Sequence, residues 1–273
     1  MRLPKSLAQE LHYKWIFGDK PAFLAGETFF LIRREKQMYF DPLLIMMTLP
    51  AVALAFYAQW LVKSNFEKMS KVGARMTGAQ AARRILDAQG LQSVPIEMVQ
   101  GHLSDHYDPS SKVVRLSESV YGTNSMAAVG IAAHEVGHAI QDAKRYAPLV
   151  IRNMAVPIAN IGGSIGSVLL MVGLGIGIAG SAAVLGKGVF LVGLVLFGAT
   201  VAFQLVNLPV EFDASSRAKT LLVETGIISG PELPYVSKVL NAAALTYVAA
   251  TLQTLLTLVF YIIRFTAANR SQN

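Results

Sequence analysis

The sequence predicts a mainly α integral membrane protein: four transmembrane helices carrying an α+β domain with a short sheet. Three observations predict it. Four blocks, Leu43 to Val62, Val156 to Gly180, roughly Gly188 to Leu208 and Ala243 to Ile263, each reach the ~20 apolar residues that cross a bilayer. The composition agrees, since 53% of the 273 residues are hydrophobic and only 15% are charged, outside the balance of soluble chains. Between the first two blocks the periodicity turns from helical to strand-like and back, the mark of a small folded domain.

In chain order, residues 1–37 mix Lys, Arg, Trp and Phe without clear periodicity. Their apolar piece Phe23 to Ile32 is too short to span and lacks a signal-peptide cleavage pattern. They are assigned as an extension of unclear role. Met38-Tyr-Phe-Asp-Pro42 opens directly into the first span, so Met38 is an expected natural start. The first transmembrane helix is placed within residues 38–63, with a kink at Pro50.

Residues 64–153 are read as the α+β domain. Lys63 to Thr77 is a basic, amphipathic connection, and Gly78 to Gln89 is a helix closed by Gly90. Val94 to Val99 and Lys112 to Ser117 have strand character. The connection Gly101 to Ser111 turns at Asp108-Pro109-Ser110-Ser111. An edge of such a sheet can take up an extended peptide by strand addition.

Residues 154–208 form a transmembrane hairpin turning near Ala179 to Lys187. Gly162 with Gly166 and Gly173 with Gly177 make two small-xxx-small pairs for close helix packing. Residues 209–241 hold a further helix begun at Pro209, 242–265 the fourth span, and 266–273 a tail.

The chemistry concentrates in Ala127 to Asp142, which contains His134-Glu135-Val136-Gly137-His138. This proline-free apolar run, with Thr123, Asn124 and Ser125 as candidate N-caps, reads as an α-helix. Residues four apart lie one turn above each other, so His134 and His138 can offer two imidazole nitrogens to one tetrahedral zinc. Glu135 projects about 100° away around the helix. There it can reach a water on the metal without ligating it, the position of a zinc peptidase's general base. The α+β part is therefore expected to be zincin-like.

A catalytic zinc needs a third protein ligand and an open position. The chain has no cysteine, which excludes disulfides and thiolate ligands. If the second and third spans form a hairpin, the chain leaves the membrane near Leu208 on the side of the His134 helix, which favours Glu211 as the third ligand. His106, in the polar loop Ser104 to Pro109, is the competing ligand; otherwise it lines the site or hydrogen-bonds locally. Asp142 and Asp213 are candidates to accept the second ring N–H of a ligand histidine. Arg217 either pairs with Asp213, polarises a substrate carbonyl or is simply solvated.

Asp105-His-Tyr-Asp-Pro, Val114-Arg-Leu-Ser, Ala132-Ala-His-Glu-Val-Gly-His-Ala-Ile-Gln and Leu208-Pro-Val-Glu-Phe-Asp-Ala-Ser resemble the YugP-type membrane zinc metallopeptidases over about residues 38 to 265. The resemblance implies a neutral zinc metallopeptidase of a bacterial membrane, with His134 and His138 on zinc and Glu135 catalytic. More distantly the chain is similar to the heat-shock membrane proteases and the CAAX prenyl proteases, whose third ligand is a Glu opening a helix after a membrane hairpin. That likeness favours Glu211. Those relatives carry an Asp four residues after the ligand Glu, where this chain has Ser215; Asp213 is expected to take its role.

The expected activity is hydrolysis of peptide bonds in a peptide or protein substrate by zinc-activated water, with Glu135 as base. The alternative is a membrane interaction or quality-control scaffold with a structural zinc, which would show four protein ligands instead of three and an open position. A net charge of +7 fits positively charged helix flanks meeting anionic lipid. No basic run is interleaved with aromatics in the manner of nucleic-acid binders. Near the span ends, Lys63, Lys68, Lys71, Arg75, Lys144, Arg145, Arg152, Arg217, Lys219 and Lys238 fall on the side of the His134 helix. Arg33, Arg34, Lys36, Lys187, Arg264 and Arg270 fall on the other, which puts the metal side in the cytoplasm of a multi-pass cell-membrane protein.

Overall fold

The computed structural model describes residues 41–101, 104–177 and 182–270. The extension 1–37, Met38, the basic residues Arg33, Arg34 and Lys36, and the hairpin tip at 178–181 lie outside the described residues.

Helix α1 (Pro42–Met69) starts where the Asp41 carboxylate accepts from the Leu43 N–H at 3.0 Å and Pro42 supplies a preset φ. It continues through Pro50. Helix α2 (Gly78–Ala88) is opened by a reciprocal capping box between Thr77 and Gln80. Gly90 at φ +75° follows its end.

Three strands follow, β1 (Ile96–Val99), β2 (His106–Asp108) and β3 (Val113–Ser117), in the order β1-β3-β2. β1 runs parallel to β3 with Ile96 opposite Val114, and β2 antiparallel with Tyr107 opposite Val114. β2 arises from the stretch expected to be mere connection. Its pairing with β3 is a tertiary event, reinforced by the Arg115 guanidinium, which reaches Asp108 at 2.8 Å from β3. That contact holds the Asp108 carboxyl well below the usual carboxylate range.

After the short helix α3 (Glu118–Tyr121), helix α4 (Met126–Ala143) is capped by Ser125, whose hydroxyl accepts from the Ala128 N–H at 3.2 Å. Helix α5 (Ala147–Ile161) passes through a π-helical turn at Gly162–Gly166 into helix α6 (Ser167–Ile176). Helix α7 (Ala183–Glu224) and, after a 3₁₀ turn at Gly230–Glu232, helix α8 (Leu233–Arg270) complete the chain. The molecule is thus mainly helical with a small three-stranded sheet. Among the described residues, four helical stretches, Pro42–Met69, Ala147–Ile176, Ala183–Glu224 and Gly230–Arg270, are long and apolar enough to cross a membrane.

Helix α7 folds back along α5 and α6, and α8 packs on both α1 and α7. A Cβ on Gly173 would lie 2.6 Å from the Phe190 backbone nitrogen, so a side chain there would hold α6 and α7 apart. Gly177, at φ +94° just past the last residue of α6, still belongs to that close approach: a Cβ on Gly186 of α7 would lie 2.1 Å from its carbonyl oxygen.

The helix expected to begin at Pro209 does not begin there. Helix α7 runs unbroken from Ala183 to Glu224 with Pro209 inside it. A proline removes one backbone hydrogen bond and crowds the preceding turn, and the packing of α7 on α4, α5 and α8 holds the helix through that point.

Two cores result. One joins α2, β3, α4 and the ends of α7 and α8 through Ile85, Leu86, Leu116, Val136, Ile140, Leu222 and Val236. The other lies among the spans, where Leu170, Phe190, Phe197, Phe260 and Tyr261 pack together.

Candidate metal centre

Helix α4 supplies His134 and His138 one turn apart, and α7 brings Glu211 against them. The approach is close because of Gly137. A Cβ there would sit 2.7 Å from the carbonyl oxygen of Ala214, so the α4 and α7 backbones touch beside the histidines. The Nε2 atoms of His134 and His138 lie 3.3 and 3.6 Å from Oε2 of Glu211. One ligand atom from each of the three residues falls within 4.8 Å of the others, a group that could hold a metal ion.

Whether this group suits a metal is answered by Glu211. The residue is 3% exposed, and its Oε2 is buried without a hydrogen-bond partner. An ionised carboxylate in that state is costly unless a cation joins it. Two imidazoles and one carboxylate form a donor set that suits zinc, so the residues fit the ion. Burial alone would push the His138 imidazole down, but the facing Glu211 and the charge of Glu135 overcome it and raise its pKa. Glu135 is 9% exposed, next to His134 in sequence and within the electrostatic reach of His138.

The other ring nitrogens have separate partners. His134 Nδ1 lies 3.1 Å from the Ser215 hydroxyl. His138 Nδ1 lies 3.0 Å from Oε1 of Gln141, a fully buried side chain. The Gln141 amide donates through Nε2 to the Val210 carbonyl and to Asp213 Oδ2, each at 2.8 Å. Arg217 Nε also donates to Asp213 Oδ2, at 2.5 Å, and its guanidinium lies 5.9 Å from the centre of the Tyr146 ring.

Of the residues singled out in the sequence, His134, His138 and Glu211 come together, Glu135 lies within the electrostatic reach of His138, and Asp213 and Arg217 lie one layer behind them. Asp213 reaches His138 only through Gln141. Asp142, the next residue along α4, points to the sheet instead of a ring nitrogen. It accepts from the Tyr107 hydroxyl at 2.8 Å and from Lys112 at 3.3 Å. Burial and the Asp142 carboxylate both raise the Tyr107 pKa, so its hydroxyl stays protonated and keeps this tether. His106 stands apart in β2, exposed, with Nδ1 2.8 Å from the Ser104 carbonyl.

Sequence reasoning overlooked Gln141 and Tyr247. The i, i+3 spacing from His138 could have flagged Gln141, but a neutral amide carries no charge signal. Tyr247 on α8 lies close to Glu211, Glu135 and Arg152, inside a run that reads only as a span.

Apolar helices of membrane length joined to a largely buried His-His-Glu cluster define a membrane protein built around a candidate metal centre. The chain belongs to the zinc peptidase family described as "Putative neutral zinc metallopeptidase", whose model matches residues 44–266. It is 49% identical over 225 residues to the Bacillus subtilis (strain 168) protein named "Putative membrane protease YugP", covering 82% of this chain and 96% of that relative. No solved structure matches the chain.

Proposed function

We propose that the chain is a membrane-embedded, zinc-dependent endopeptidase in which His134, His138 and Glu211 hold the ion and Glu135 is the general base of an HExxH, gluzincin-like site. What supports this reading is the buried, unpartnered Glu211 Oε2 facing two histidine Nε2 atoms, in a chain of the zinc peptidase family.

Zinc held there supplies Lewis acidity, polarising a peptide carbonyl and making water a stronger acid. Glu135 accepts a proton from the attacking water while the water oxygen bonds to the carbonyl carbon. The same carboxyl returns the proton to the amine nitrogen as the C–N bond breaks. His134, His138 and Glu211 keep their donor atoms fixed on neighbouring helices, so no reorganisation is needed during the reaction. Substrates are peptides or proteins reached at the bilayer, and the catalytic face lies in the cytoplasm, as the Lys and Arg bias of the span ends indicates.

The test pairs zinc content with casein cleavage in wild type and in His138→Ala, Glu211→Ala, His106→Ala and Glu135→Gln. The expected result is zinc loss in the first two variants, zinc retained in His106→Ala, and zinc retained without cleavage in Glu135→Gln. Zinc loss in His106→Ala with none in Glu211→Ala would overturn the ligand set. The orientation is checked by Ser110→Cys in this cysteine-free chain, which a membrane-impermeant maleimide should fail to label from outside intact cells; labelling would reverse it.

A further inference from the structure

We infer that Gln141 is a positioning residue that locks His138 in one tautomer, and that Asp213 and Arg217 act on the metal through it. This rests on the ligand set proposed above. The argument is one of hydrogen-bond polarity. A glutamine amide has two N–H donors and one carbonyl acceptor. Both donors of Gln141 point at groups that can only accept, the Val210 carbonyl and the Asp213 carboxylate. The reverse orientation would aim the amide oxygen at both of those acceptors, which electrostatics forbids. Oε1 therefore faces His138, and the 3.0 Å contact requires His138 Nδ1 to donate.

The proton being held on Nδ1, the Nε2 lone pair is left facing Glu211 Oε2, where the ion would sit. Upstream, the Arg217 guanidinium donates to the Asp213 oxygen that also receives Gln141. Arg217 holds the Asp213 carboxylate in place, Asp213 orients the amide, and the amide orients the ring. A neutral glutamine does for His138 what a carboxylate often does for a metal-bound histidine, without adding negative charge beside the centre.

His134 has no equivalent lock. Its Nδ1 meets the Ser215 hydroxyl, which can donate or accept and so imposes no tautomer. Replacing Gln141 is therefore expected to weaken the metal more than replacing Ser215.

Zinc affinity of the full-length protein, measured by chelator competition in wild type, Gln141→Leu, Asp213→Asn, Ser215→Ala and His138→Ala, tests this. The expected loss is about 10- to 100-fold in Gln141→Leu, smaller in the same direction in Asp213→Asn, and least in Ser215→Ala. A second readout needs no metal. The ¹⁵N spectrum of histidine-labelled apoprotein, taken above the imidazole titration range, should place the His138 proton on Nδ1 in wild type and release it to both nitrogens in Gln141→Leu. Wild-type affinity in Gln141→Leu, or in Asp213→Asn should the first variant fail to fold, would overturn the relay while zinc loss in His138→Ala leaves the ligand set standing. Unchanged affinity in His138→Ala would overturn the ligand set and the relay with it.

Discussion

Helix α4 and the four spans have similarly apolar sequences in opposite surroundings. Fourteen of the 18 residues of α4 are buried in protein, whereas only 17–22% of the most apolar window in each span is buried inside the molecule. On the spans large side chains face outward, Met46 at 68%, Phe56 at 74% and Val195 at 74% exposed, because lipid is their solvent. Helix α4 presents alanine, valine and glycine on all sides because other elements of the chain cover it. A helix apolar all round needs a nonaqueous neighbour, and its length tells which: 18 residues of small side chains fit a protein interior, and about 20 or more of large ones fit a bilayer. The difference also separates duties, since the polar chemistry sits where protein alone sets the dielectric.

The largest effect that would sharpen this contrast is on turnover. Replacing Glu135 by Gln should lower casein cleavage by roughly 100- to 10,000-fold with zinc content unchanged; a rate within a few-fold of wild type would remove the carboxylate from the reaction. Next in size are paired truncations. Ile140→Ala, at a position 1% exposed on α4, should cost about 2–5 kcal/mol because the cavity stays empty. Val195→Ala, 74% exposed on α7, should cost under about 1 kcal/mol because lipid fills the gap. Equal losses in detergent unfolding curves would break the comparison.

A third pair uses glycines. Gly137→Ala would drive a Cβ to 2.7 Å from the Ala214 carbonyl and should cost about 1–3 kcal/mol with reduced zinc affinity. Gly198→Ala, with nothing within 4 Å of the added carbon, should stay within about 0.5 kcal/mol. Thermal unfolding and zinc titration of the two variants decide it.

How far this was legible depended on which force wrote the signal. The spans and α4 were readable because burial in lipid or protein leaves apolar runs, and Glu211 was reachable through the hairpin topology. Strand β2 was not. Asp108-Pro109 and the serines after it spell a turn, and only pairing with β3 makes His106 to Asp108 extended. Pro209 carries the local mark of a helix start, which the packing of α7 overrides. Asp142 was singled out as a carboxylate and the neutral Gln141 was overlooked, yet these neighbours point about 100° apart around α4, so Gln141 meets His138 and Asp142 meets the sheet.

That divergence yields the smallest pair of effects, both on the tether between α4 and the sheet. Asp142 is gripped by the half-buried Tyr107 hydroxyl and by Lys112, whose side chain is 68% exposed. Tyr107→Phe removes a partly desolvated hydrogen bond and should cost about 0.5–1.5 kcal/mol. Lys112→Ala removes a contact that water and salt already screen, and should cost no more than about 1 kcal/mol, shrinking further as salt is added. Unfolding curves at low and high ionic strength separate the two: a salt-dependent Tyr107→Phe effect would mean that charge rather than burial sets that contact, and a salt-independent Lys112→Ala effect would mean that Lys112 acts by packing rather than by charge. The expected order extends the contrast between α4 and the spans to a single carboxylate, where each partner's contribution is set by how much water it retains.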